Sequence, residues 1–480
     1  MSRRPGFRTL DKDLGRVGHA EVAQMHAFRP VLRLGLAMLA LVGALFVVMA
    51  LSGAAPGVLV LGTGLIVAAW LGVAIGANDV ANSLGPAVGA GAIGLVPGLI
   101  LVAVAGMAGA ILAGSAVSQR LAQGLLDLGP VAEGSRAPMI MVAALIGAAS
   151  WITLATGIGL PVSTSHSIVG GIAGAGAVAL GIGGVAWGTV AMIALVWVVT
   201  PVLSGALAGV FLIALRRQVV EASDRAGAAL RWLPLMVGTM AGLFAAYVAL
   251  LLAAGGGQGA LPAMAVGIVA GLAGYLATRR GVQRELAQNP RKPGIRKLLR
   301  PALVLAVVIL GFAHGANDVG NIAGPLSVIL QGRTGPAGLG LVSALVLAGG
   351  GLAIATGTLL FGSRLVNMVG SGITRLNAGR AFCVSLATAV TVLGAAALGL
   401  PVSTTHVAVG GVFGVGFARE WMDRRRDRPE GALPAEESRR RILVRRSHVI
   451  TITAAWLVTL PITASLGALA CALVLWTVGG

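Results

Sequence analysis

Gly76 to Pro86 reads GANDVANSLGP, and Gly315 to Pro325 reads GANDVGNIAGP; Asp79 and Asp318 are the only two carboxylates in the long apolar stretches of the chain. A charged side chain near the bilayer centre costs about 2.5 to 3.5 kcal/mol on insertion scales, so an intramembrane acid is by default a functional residue with a partner. Two acids in one repeated phrase imply a duplicated fold with one shared site.

A second phrase repeats in step with the first. PVSTSHSIVGGIAGAG, from Pro161 to Gly176, returns as PVSTTHVAVGGVFGVG from Pro401 to Gly416 at an offset of 240, against 239 for the GAND phrase. A looser pair is WVVTP from Trp197 and WLVTLP from Trp456. Self-similarity on this scale reads as tandem duplication. The expected organisation is a basic cytoplasmic tail at 1–33, a first transmembrane repeat at 34–215, a linker at 216–300 with two further helices, and a second repeat at 301–480. The second repeat includes a cytoplasmic loop at 419–447.

Basic residues follow the helix ending near Leu215, as Arg216 and Arg217, but precede its counterpart at Ile450 to Thr477, as ten arginines between Arg419 and Arg446. If basic loops face the cytoplasm, equivalent helices run in opposite directions. The fold class expected is an all-α polytopic membrane protein with about 10 to 12 transmembrane helices, some re-entrant or broken, in two inverted-topology repeats.

Composition agrees. With 57% hydrophobic and 11% charged residues and a mean hydropathy of +0.92, the chain is far from a soluble protein, about a quarter of which is charged. The net charge of +19 resides in the linkers between apolar runs, so it reads as positive-inside loops rather than a nucleic-acid surface. Cys383 and Cys471 fall in apolar runs and provide neither a disulfide framework nor metal-ligand spacing. The seven Arg and Lys between Ser2 and Arg33 precede an apolar run longer than the core of a cleaved signal. The chain is expected in the plasma membrane, the inner membrane if bacterial, as a multi-pass protein.

The chemistry follows from residue types. In each GAND phrase glycines allow close backbone approach and a proline is expected to interrupt the helix, freeing carbonyls and amides. A carboxylate with two amide side chains, Asn78, Asp79 and Asn82 or Asn317, Asp318 and Asn321, makes an oxygen-rich cage suited to a small hard cation; either acid could instead carry a proton. Ser163, Thr164, Ser165 and Ser403, Thr404, Thr405 open helices after Pro161 and Pro401, where hydroxyls and unpaired amides favour an anion. Simple N-capping is the plain alternative for these residues. No Lys or Arg lies in the surrounding apolar runs, so positive charge must come with the substrate, which gives a physical reason for coupling. His166 and His406 read as neutral residues hydrogen-bonded within their hairpins; His314, where the first repeat has Ile75, could be structural or a proton carrier.

With these motifs the sequence resembles the inorganic phosphate transporter family, phosphate permeases that symport phosphate with Na⁺ or H⁺. The resemblance spans both repeats. It implies that Asn78, Asp79, Asn82, Asn317, Asp318 and Asn321 line the ion and phosphate site, with Asp79 and Asp318 as Na⁺ ligands. It further implies that Ser163, Thr164, Ser165, Ser403, Thr404 and Thr405 hold the phosphate oxygens. Gly106 and Ser385 stand where several family members carry glutamate. The expected function is cation-coupled phosphate symport by alternating access, with phosphate, Na⁺ or H⁺ and the lipid bilayer as partners, no cofactor, no nucleic acid and no enzymatic activity. Homo-oligomerisation is left open. A sulfate permease of the same family, a passive anion channel and an intramembrane serine hydrolase are the alternatives.

Overall fold

The computed structural model describes residues 30–45, 56–131, 136–158, 160, 162–254, 260–289, 295–331, 339–372, 376–424 and 446–478. Most of the basic N-terminal tail, Pro161, and the loop at 425–445 lie outside them.

With no water in the bilayer core, every backbone amide and carbonyl must be satisfied within the segment, and the Ala-, Gly-, Leu- and Val-rich runs of this chain form helices throughout. The helices are, in chain order, α1 (Pro30–Leu45), α2 (Pro56–Gly89), α3 (Leu95–Ala113), α4 (Ser115–Gln123), α5 (Arg136–Gly157), α6 (Thr164–Leu180) and α7 (Trp187–Leu215). α8 (Arg225–Ala254) and α9 (Ala260–Gln288) lie between the two copies of the repeated phrases. They are followed by α10 (Ile295–Asp318), α11 (Gly320–Gln331), α12 (Leu339–Gly372), α13 (Ala378–Ala397), α14 (Thr404–Arg424) and α15 (Arg446–Val478). Among the described residues, ten helices are long and apolar enough to cross a membrane, and two apolar helices are shorter, Pro30–Leu45 and Thr164–Leu180. The chain is therefore an all-α, multi-pass integral membrane protein.

Burial separates core from periphery. In the most apolar stretch of α5, 83% of residues are buried, against 11% in that of α9. α8 and α9 pack on each other, Gly238 and Gly242 facing Gly271 and Gly267 so closely that their backbones touch. Large apolar side chains such as Leu243, Leu261 and Val202 point outward, as a lipid-facing surface requires.

Equivalent packing partners cross between the repeats: α7 lies on α14, and α15 lies on α6. α2 packs on α12, and α10 on α3. Glycines make these approaches possible, since a Cβ on Gly76 would strike the Ile354 carbonyl and one on Gly315 would strike the carbonyl of Gly106.

One expectation fails. The prolines of the GAND phrases do not break their helices: α2 runs without interruption through Asp79 and past Pro86, and Pro325 lies within α11. The interruption in the second copy falls at Val319, immediately after Asp318, and a further one separates α3 from α4 at Gly114. A proline removes one amide donor, a loss that neighbouring helices in a membrane bundle can absorb. The PVST phrases do form interruptions. α5 ends at Gly157 and α6 starts at Thr164; α13 ends at Ala397 and α14 starts at Thr404, after a turn in which Gly399 has φ +66°. That left-handed conformation favours glycine.

Candidate functional site

The two interrupted hairpins, α5–α6 and α13–α14, bring their tips together in the interior. Ser163, Thr164, Ser165, Ser403, Thr404 and Thr405 are all buried. The Ser165 hydroxyl donates to the Val402 carbonyl at 2.8 Å, and the rings of His166 and His406 lie 4.6 Å apart. Against these tips stand the two GAND segments. Asn78, Asp79, Asn317, Asp318 and Asn321 are buried, and the two carboxyl groups lie within interaction range of each other.

Each half holds its acid differently. Thr164 donates to Asp79 Oδ2 at 2.8 Å, whereas Asp79 Oδ1 receives no hydrogen bond. Asp318 Oδ1 accepts from Asn317 Nδ2 at 2.6 Å, and its Oδ2 faces His314 Nε2 at 3.2 Å. Thr404, the repeat equivalent of Thr164, makes no hydrogen bond through its hydroxyl. Asn317 also clasps the second hairpin, donating to the Val402 carbonyl at 2.8 Å and accepting from the Val402 amide at 3.0 Å. Asn78 instead donates to Thr156 Oγ1 at 2.8 Å, and Asn82 donates to Thr405 Oγ1 at 2.8 Å.

Ser163 and Ser403 act as helix caps. Their hydroxyls accept from the backbone amides of His166 at 3.1 Å and His406 at 3.3 Å, the N-terminal geometry that satisfies one orphan donor. The plain capping role thus applies to these two of the six hydroxyl residues. His166 departs from the expected hairpin hydrogen bond: its Nδ1 has no partner and its ring stacks on Trp197 at 3.7 Å. Trp197 in turn donates from Nε1 to the Pro401 carbonyl at 3.0 Å, joining α7 to both hairpins.

Sequence reasoning missed Thr156 and the role of Trp197. Thr156 has Ala396 at the repeat-equivalent position and so gives no duplication signal. Trp197 was signalled by its looser repeat with Trp456, whose side chain lies outside the described residues.

The chemistry available is that of an oxygen-rich, buried centre. Asn78 Oδ1, Asp79 Oδ1, both polar atoms of the Asn321 side chain and Thr404 Oγ1 are buried without a hydrogen-bond partner. Unsatisfied groups at that depth cost about 1 to 3 kcal/mol each, and in a native site they call for a ligand, ion or water. Carboxylate, amide and hydroxyl oxygens together suit a hard monovalent or divalent cation. At the hairpin tips, the first-turn amides of α6 and α14 have no partner within their own helices, which suits an anion.

The sequence profile of the phosphate transporter family matches residues 75–467. A Helicobacter pylori protein named "Putative phosphate permease" is 35% identical over 437 residues, covering 90% of this chain and 80% of its own length. The "Inorganic phosphate transporter 2-1, chloroplastic" of Arabidopsis thaliana is 33% identical over 427 residues, 82% of this chain and 68% of that one. Among solved structures, one named "The sodium-dependent phosphate transporter" aligns with a TM-score of 0.74 and 31% identity, covering 86% of this chain and 98% of its own. Since the matched region takes in both GAND phrases, both hairpins and Trp197, the chain belongs to the phosphate transporter family.

Proposed function

We propose that this protein is a cation-coupled symporter of inorganic phosphate that works by alternating access, its two repeats having inverted topology and rocking against each other. The observation that carries this reading is the meeting of two buried carboxylates, Asp79 and Asp318, one from each GAND phrase, the first bonded to the Thr164 hydroxyl of one hairpin and the second joined through Asn317 to Val402 of the other. An anion entering this centre without a cation would face two negative charges in a low-dielectric interior. Na⁺ or a proton on the acids removes that repulsion, so anion and cation enter together.

In this reading Asp79 and Asp318, with oxygens of Asn78, Asn321 and Thr404, hold the cation, and the first-turn amides of α6 and α14 with Thr405 hold the oxyanion, joined by Thr164 and Ser165 once their hydroxyls turn from Asp79 and the Val402 carbonyl. Na⁺ is the favoured coupling ion, a choice supported by the 31% identical structural neighbour, which is named as sodium-dependent. The hydrolase alternative has no serine–imidazole hydrogen bond behind it at Ser163, whose Oγ accepts from the His166 backbone amide while the His166 ring lies on Trp197.

The test is uptake of labelled phosphate into proteoliposomes under an imposed Na⁺ gradient, an imposed pH gradient, or neither, with unlabelled sulfate as competitor. Accumulation under one gradient alone identifies the coupling ion. Equilibration without accumulation would make the protein a channel, and abolition by sulfate would change the substrate.

A further inference from the structure

Away from the central site, the end of the bundle that carries the arginine-rich loops contains a cavity of about 430 Å³, within the range typical of ligand pockets. By the positive-inside rule this is the cytoplasmic end. The cavity lies where the last turn of α7, the first turn of α13 and the end of α14 meet, with Leu215 and Leu299 in its wall.

Three guanidinium groups converge on it: Arg216 from the π-turn at 216–220 that ends α7, Arg380 from α13, and Arg419 from α14. One carboxylate, Asp423, shares the wall. It accepts from both terminal nitrogens of Arg216 at 3.2 Å and faces Arg419 Nε at 3.4 Å. Glu221, at the margin, pairs with Arg216 Nε at 2.6 Å. Even with both acids counted, these five side chains sum to one excess positive charge. Arg216 and Arg419 both face Asp423, and Arg380 lies within range of the Arg419 charge. The Arg380 side chain is steered by Asn377, the cap of α13, whose Oδ1 accepts from Arg380 Nε at 3.3 Å and from its amide at 3.0 Å. The positive end of the α13 dipole adds to the same field.

We infer that this cavity binds a phosphate-bearing anion from the cytoplasmic side, either the headgroup of an anionic phospholipid or free inorganic phosphate. Guanidinium forks match phosphate oxygens geometrically, and basic pockets between membrane helices on this face suit anionic headgroups. An anion between Arg380 and Arg419 relieves their mutual repulsion. Because α7 belongs to the first repeat and α13 and α14 to the second, the bound anion also ties the repeats together at one end. Binding here is independent of the transport reading, since the site shares no residue with the Asp79–Asp318 centre.

The experiment uses the purified full-length chain and R380Q/R419Q. One arm measures retention of phosphatidylglycerol against phosphatidylcholine by native mass spectrometry; the other measures labelled inorganic phosphate bound per chain at equilibrium. A loss of about tenfold in phosphatidylglycerol affinity, with phosphatidylcholine unchanged, identifies the headgroup as the ligand. One phosphate fewer bound per chain identifies the free anion. R380K/R419K, which keeps the charge, should retain most of the binding. Should R380Q/R419Q fail to remain monodisperse, R419Q alone serves, since Arg419 is 30% exposed at the end of α14. Equal binding of both probes by the wild type and the charge-removing variant would overturn the inference.

Discussion

Asn82 donates from Nδ2 to Oγ1 of Thr405 at 2.8 Å, so the second asparagine of one repeat is bonded to the hairpin tip of the other across 323 residues of sequence. This bond belongs to the pair. Asn82→Ala and Thr405→Val should each raise the apparent KM for phosphate by about fivefold, the worth of roughly 1 kcal/mol. The double variant should cost little more than either single one. A double-mutant cycle on uptake kinetics measures the coupling; strict additivity would mean that the two residues act separately.

Asp79→Asn and Asp318→Asn should each abolish gradient-driven accumulation while leaving membrane insertion and monodispersity intact. The expected loss in initial uptake rate is at least about tenfold for each, because an amide cannot supply the charge that holds the cation. Proteoliposome uptake with quantified protein per vesicle checks this. Full accumulation by both single variants would remove the acids from the coupling.

The glycines at the helix crossings should be intolerant of even one carbon. Gly76→Ala and Gly315→Ala push a methyl group into the Ile354 and Gly106 carbonyls, and overpacking of this kind costs about 1 to 3 kcal/mol. Gly394, on the exposed side of α13, has nothing within 4 Å of its would-be Cβ. Gly394→Ala should therefore hold or raise stability by about 0.5 to 1 kcal/mol. Thermal unfolding in detergent distinguishes the two classes.

Trp197→Phe keeps a ring against His166 but removes the donor to the Pro401 carbonyl. Leaving that buried acceptor unpaired should cost about 1 to 3 kcal/mol, read as a lowered Tm. If Trp197 mattered only through stacking, the Tm would not move.

Much of the centre was legible because duplication marks it: both acids, their asparagines and both hydroxyl runs carry the repeat. What breaks the symmetry was harder to read. Thr156, which receives Asn78, has Ala396 as its counterpart, and His314, which faces Asp318, stands where the first repeat has Ile75. A repeat search weights shared residues, so it passed over Thr156 and showed the place of His314 without its role. The breaks at the PVST phrases fell where expected, but those expected at the GAND prolines did not, for another reason. Proline is a strong local signal, yet Pro86 and Pro325 both sit inside helices while the chain breaks at Val319 and Gly114. Tertiary packing, which no local pattern reports, decides where a membrane helix ends.

The crossed pairing of α6 with α15 and of α7 with α14 bears on how the molecule is made. When α6 leaves the ribosome, nearly three hundred residues of its own chain remain to be synthesised before its partner helix exists. The first hairpin is therefore made long before α15, and a helix from far down the chain completes the packing of one synthesised early.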